Sequence, residues 1–169
     1  MKALAKKAAL EPPKAVFTIN FGEGKIKELE IESGYGFQIR EARKARNLMD
    51  LNRIIGENGF PFKAVRPLVK YLDLTNDSIA VLTGVSSRTI SRWDDDTTIG
   101  VMASKTLVEV DKLARKGVGV FGDHASFIEW LHQPNTALGD SSPLKMLSTP
   151  YGVEMVEDAL EALEFGNVM

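Results

Sequence analysis

Asn76-Asp77-Ser78-Ile79-Ala80-Val81-Leu82-Thr83-Gly84-Val85-Ser86-Ser87-Arg88-Thr89-Ile90-Ser91-Arg92-Trp93 is the stretch that decides how this chain reads. Ala80 stands four residues before Gly84, where two steeply crossing helices need a small side chain, and Gly84 can take the positive φ of the tight turn between them. Ser86 is placed to cap the second helix, because its hydroxyl reaches the backbone N–H of Thr89. With Val85, Ile90 and Trp93 turned inward, Ser87, Arg88, Ser91 and Arg92 share the opposite face as two i,i+4 pairs. Arg offers bidentate donors to guanine O6 and N7, while Ser and Thr suit phosphates and tolerant base contacts. The spacing therefore predicts a helix-turn-helix, with Ser86, Ser87, Arg88, Thr89, Ser91 and Arg92 at DNA. Asp94-Asp95-Asp96 follow at once, and acids there oppose both the helix dipole and a phosphate, so they must point away from DNA.

Working outward, Phe62 to Leu72 carries helical spacing, with Pro67 either kinking it or opening its second half. Gly56 and Gly59-Phe60-Pro61 mark a boundary. Before it, Phe37 to Ile55 follows the breaker Gly34-Tyr35-Gly36 and spaces Ile39, Ala42, Ala45, Leu48, Leu51 and Ile55 at three and four residues, which predicts an amphipathic helix. Ala15 to Phe21 and Lys25 to Ile31 alternate in the strand period around Gly22-Glu23-Gly24, the pattern of a hairpin. Residues 1–14 read as a basic arm ended by Pro12-Pro13. The expected division is an N-terminal extension over 1–59, a DNA-binding domain over 60–100 and a further helical domain over 101–169, mainly α overall.

The net charge of −2 hides an asymmetry. Residues 1–59 and 60–93 are each net +3, 94–119 net −1 and 120–169 net −7. A basic half suits a polyanion and an acidic half a protein partner. With no cysteine, neither a disulfide framework nor a thiolate metal site nor a cysteine nucleophile is available. His124 and His132 are the only histidines, with no cysteine and no aligned nucleophile, so no enzyme is expected, and no metal or cofactor. The N-terminus lacks the apolar run of a signal peptide and no stretch approaches a membrane span, so a cytoplasmic protein is expected.

In the last third, residues 104–116 form an amphipathic pattern that Gly117-Val118-Gly119 should end. Thr149-Pro150 places a cap before proline at the first helical position, and Val153, Val156, Leu160 and Leu163 give the stripe of a last helix stopped at Gly166. Phe121-Gly122-Asp123, Trp130-Leu131, Pro134-Asn135, Ala137-Leu138-Gly139, Ser142-Pro143-Leu144, Leu147, Gly152 and Glu164-Phe165-Gly166 form a string that resembles the Xre/MbcA/ParS-like antitoxins, partners of RES-domain toxins. Two features depart from it: Thr106 and Glu109 stand where members usually carry arginines, and residues 1–59 match nothing in the family.

The resemblance implies a dimeric, all-helical antitoxin that masks an NAD-degrading toxin and represses its own operon, with residues 101–169 as its toxin-binding and dimerisation domain. One short recognition helix reads few bases, so a dimer on an inverted repeat is expected. The resemblance also implies toxin contacts at Trp130 and at the end, Glu164, Phe165, Gly166, Asn167, Val168 and Met169. A stand-alone helix-turn-helix repressor, whose C-terminal part only dimerises or senses a ligand, is the alternative.

Overall fold

The computed structural model of the protein describes residues 14–20, 26–32 and 35–166. Of the basic arm expected over residues 1–14, all but Lys14 lies outside the described residues, as does the Gly22-Glu23-Gly24 turn. The hairpin strands are present as β1 (Lys14–Asn20) and β2 (Ile26–Glu32), antiparallel in a register that sets Lys14 opposite Glu32, Phe17 opposite Leu29 and Asn20 opposite Ile26.

All else among the described residues is helical or irregular. The helices are α1 (Leu48–Ile55), α2 (Phe62–Tyr71), α3 (Asn76–Thr83), α4 (Ser87–Ile90), α5 (Val101–Phe121), α6 (His124–His132), α7 (Pro143–Met146) and α8 (Pro150–Glu164). One continuous apolar core runs through them from Phe37 to Leu160. Its axis is α5, which packs against α1, α2, α3, α6 and α8 and buries Leu107, Val110, Leu113 and Val118. No helix of the described chain is long and apolar enough to cross a membrane.

Two sequence expectations fail here for identifiable reasons. The single helix over Phe37 to Ile55 is instead a 3₁₀ turn (Ala42–Lys44) followed by α1. Asn47 breaks it: its backbone is extended and its side chain accepts the N–H of Asp50 at 2.8 Å, which starts a new helix there. Arg46 and Arg53 both bond the Asp50 carboxylate, at 2.5 and 2.8 Å, and the Arg46 guanidinium holds that carboxyl below its ordinary value. The residues ahead of the break are bound from a distance. Asp111, fully buried in α5, accepts the backbone N–H of Phe37 and Ile39 on Oδ2 at 2.6 and 3.1 Å, and of Gln38 on Oδ1 at 2.7 Å. A carboxylate so placed satisfies donors that no helix claims.

The second failure is at Gly117 and Gly119, which do not end their helix. α5 passes through both and stops at Gly122, where φ is 76°. A Cβ at Gly117 would fall 2.1 Å from the ring of Phe127, so the residue serves close approach of α6 to α5. Phe127, fully buried, occupies that space.

Candidate nucleic-acid interface and C-terminal domain

Local chemistry builds the α3–α4 unit as the sequence predicts. Thr75 caps α3 by accepting the N–H of Ser78 at 3.1 Å. The chain leaves α3 at Gly84, in the left-handed region with φ 70° and ψ 7°, whose N–H closes on Ala80 O at 2.9 Å. Ser86 is extended and its Oγ accepts the Thr89 N–H at 3.2 Å, the expected cap. Ile90 is buried, and Val85 and Trp93 lie half-buried against the core, with the Trp93 ring 5.5 Å from that of Phe62.

The helix α4 itself is only Ser87–Ile90. It tightens at its end, where Arg92 N–H and Trp93 N–H bond carbonyls three residues back, at Thr89 and Ile90. Ser91 N–H still bonds Ser87 O at 2.9 Å, so the two serines stack on one side as expected.

Of the residues expected at DNA, Ser86, Arg88, Thr89, Ser91 and Arg92 are exposed and Ser87 is half-buried. Their hydroxyls are not idle. Ser86 and Thr89 share a hydrogen bond at 2.9 Å, Ser91 Oγ donates to Arg88 O at 2.8 Å, and Ser87 Oγ donates to Asp77 Oδ1 at 2.6 Å. The link to Asp77 crosses from α4 to α3, and no periodicity announces it.

The three acids that follow Trp93 are tied down. Asp94 Oδ1 accepts the backbone N–H of Thr97 at 2.8 Å, its hydroxyl at 2.7 Å and the N–H of Asp96 at 3.1 Å, and the Thr97 hydroxyl holds this carboxyl below its ordinary value. Asp95 pairs with Arg66 at 2.6 Å and Asp96 with Lys63 at 2.7 Å, with Lys63 raised by that partner. The basic surplus of residues 60–93 is thus countered at α2, while Arg88, in α4, and Arg92, just after it, stand exposed.

In the last third, Asp123 caps α6 by accepting the N–H of Ser126 at 2.9 Å, and Thr149 caps α8 by accepting the N–H of Gly152 at 3.1 Å. Trp130 is half-buried beside its own Phe121 and Phe127, with centroids 5.4 and 6.2 Å away. In α8, Val156 and Leu160 are buried, Val153 half-buried and Leu163 43% exposed, so the apolar stripe leaves the core before the helix ends. Glu154, Asp158, Glu161 and Glu164 face solvent, Glu161 bonded to Lys116 at 2.6 Å. Phe165, 74% exposed, follows the helix, and Gly166 turns at φ 69°. Asn167, Val168 and Met169 lie outside the described residues.

Both histidines serve the fold. His124 Nε2 lies 2.6 Å from Tyr71 O and His132 Nε2 2.9 Å from Leu72 O, so α6 is bound to the end of α2. Among the described residues there is no group of three or more His, Cys, Asp or Glu that could hold a metal ion.

Comparison with known families agrees with this division of labour. Residues 56–98 match the Antitoxin Xre-like helix-turn-helix domain, and residues 117–166 match the Antitoxin Xre/MbcA/ParS C-terminal toxin-binding domain. No curated protein matches the chain significantly. The two matched regions together span more than half of the sequence and place a DNA-binding helix-turn-helix ahead of a toxin-binding domain.

Proposed function

We propose that this Xre-family antitoxin neutralises a RES-domain toxin that degrades NAD, and that as a homodimer it represses its own operon at an inverted repeat. The observation that carries the DNA half is the α3–Gly84–α4 geometry, which leaves Arg88 and Arg92 exposed beside the Ser86 cap. One short reader contacts too few base pairs to be selective, and two-fold pairing doubles the contact. The reading assigns Ser86, Ser87, Arg88, Thr89, Ser91 and Arg92 to DNA, and divides the chain at residues 59 and 100.

What supports the toxin half is the acidic α8 and the exposed Phe165 beyond it. An enzyme that binds NAD holds anionic phosphates in a positive pocket, and an acidic helix is complementary to such a pocket. Phe165 anchors at the interface, Gly166 to Met169 obstruct the pocket, and Trp130 and Glu164 add to the contact.

Co-expression with a RES-domain toxin tests this, with cellular NAD as the readout. The full chain should preserve NAD, whereas a chain truncated after Glu164 should bind operator DNA yet protect poorly. Undiminished protection by the truncated chain would move the masking surface to Phe121–Leu147. Absence of any NAD-consuming partner, with repression intact, would make the protein a stand-alone repressor.

A further inference from the structure

The hydroxyl protons of Ser87 and Ser91 are already committed. Ser87 Oγ lies 2.6 Å from Asp77 Oδ1 and Ser91 Oγ 2.8 Å from Arg88 O. A carboxylate and a carbonyl oxygen only accept, so each serine gives its single proton inward and keeps only lone pairs for a ligand. The Ser86–Thr89 pair differs. Two hydroxyls share one bond, which leaves one proton of the pair free to donate outward.

This polarity decides what each hydroxyl can touch. Phosphate oxygens accept and cannot donate, so Ser87 cannot hydrogen-bond a phosphate while it holds Asp77, and the Asp77 charge further disfavours a phosphate there. In the major groove the donors are the N4 amino group of cytosine and the N6 amino group of adenine. We propose that Asp77 and Ser87 form an acceptor pair that reads the exocyclic amino group of a cytosine or adenine, with Asp77 the positioning residue that fixes the polarity of Ser87. Asp77 is exposed in the first turn of α3 and Ser87 opens α4, so the pair bridges the two helices of the unit. Arg88, next in sequence and exposed, supplies donors only, the polarity that guanine O6 and N7 require. Acceptor and donor thus stand side by side on the reader. The inference rests on the DNA-binding reading above.

The test uses the full-length protein and duplexes that it selects from a random library, read by fluorescence anisotropy at fixed salt. At one cytosine or adenine per half-site, replacing the base by 2-pyrimidinone or purine, which lack the amino group, should weaken binding about fivefold or more. Ser87→Ala should erase that penalty and leave the penalties at other positions unchanged. Asp77→Ala frees the Ser87 proton, so thymine or guanine becomes tolerated at that position. Asp77→Asn, which preserves shape, serves with a thermal melt as the check on folding. If Ser87→Ala weakens all sequences alike and reduces the salt dependence by about one phosphate contact, Ser87 binds the backbone and the inference is overturned. It is equally overturned if the wild-type protein selects a sequence but no base loses affinity with its amino group. If the wild-type protein selects no sequence at all, the DNA reading itself fails.

Discussion

His132 Nε2 stands 2.9 Å from the carbonyl oxygen of Leu72, sixty residues earlier in the chain, and His124 Nε2 stands 2.6 Å from that of Tyr71. A carbonyl only accepts, so in both rings Nε2 carries the proton. The two bonds fall at the C-terminal end of α2, where carbonyls lack helical partners, and they bind the toxin-binding domain to the helix-turn-helix domain. His132→Ala should therefore lower the free energy of unfolding by about 1 kcal/mol in urea titration, with the DNA sequence preference unchanged. A loss of sequence preference without loss of stability would contradict this role.

Gly84 is a test of backbone rather than of space. A Cβ there meets nothing within 4 Å, yet φ is 70°. Gly84→Ala should cost about 1–2 kcal/mol, Gly84→Val more, and Gly84→Asn least, because Asn tolerates the left-handed region and β-branched residues do not. Thermal melts rank the three, and a normal Tm for Gly84→Val would refute the turn. Gly152 gives the contrary case: its added Cβ would lie 1.8 Å from Met146 O, so Gly152→Ala should destabilise by steric conflict.

Asp111→Asn should destabilise by on the order of 3 kcal/mol, since an amide group offers one acceptor oxygen and turns its NH₂ toward backbone donors. The variant also alters the pH profile. Burial raises the Asp111 carboxyl above its ordinary value, against the three N–H bonds and the charge of Arg43 that lower it. A raised folded value means that the folded state holds the proton longer than the unfolded one. This contribution is full below the unfolded value and is lost as pH rises through the folded one. Subtracting the variant's stability curve from the wild-type curve should show a decline with rising pH across the acid range.

Arg88→Ala and Arg92→Ala should each weaken binding to the selected operator by about 1–3 kcal/mol and relax preference at one position, if they contact bases. If each lowers affinity for every sequence equally and flattens the salt dependence, they are phosphate contacts. Anisotropy titrations on matched and scrambled duplexes at two salt concentrations separate these outcomes.

The features legible in the sequence are those whose partners lie a few residues away. Gly84 turns, Ser86 caps, Thr149 caps and Ile90 faces inward because each depends on the φ of one residue or on an N–H within one helical turn. The family resemblance in the last third was legible for the same reason, as a string of caps, turns and small helices. The hairpin followed from alternation alone.

The length of a helix was less readable. Periodicity ran from Phe37 to Ile55, but Asn47 offered its own oxygen to Asp50 N–H and divided the run. Glycine in Gly117-Val118-Gly119 looked like a stop, and the weight of Phe127 against α5 made it a contact instead.

By itself, then, the sequence determined the helix-turn-helix, its caps and its inward face, because these are set by the local backbone and by side chains within reach along the chain. Only the tertiary structure decided that Asp111 binds Phe37 to Ile39, that Asp95 and Asp96 draw in Arg66 and Lys63, and that Ser87 gives its proton to Asp77. Each of those is a hydrogen bond or ion pair between residues ten or more positions apart. Such bonds form because folding removes water from both groups and brings them within 3.1 Å, a meeting that no spacing along the chain specifies.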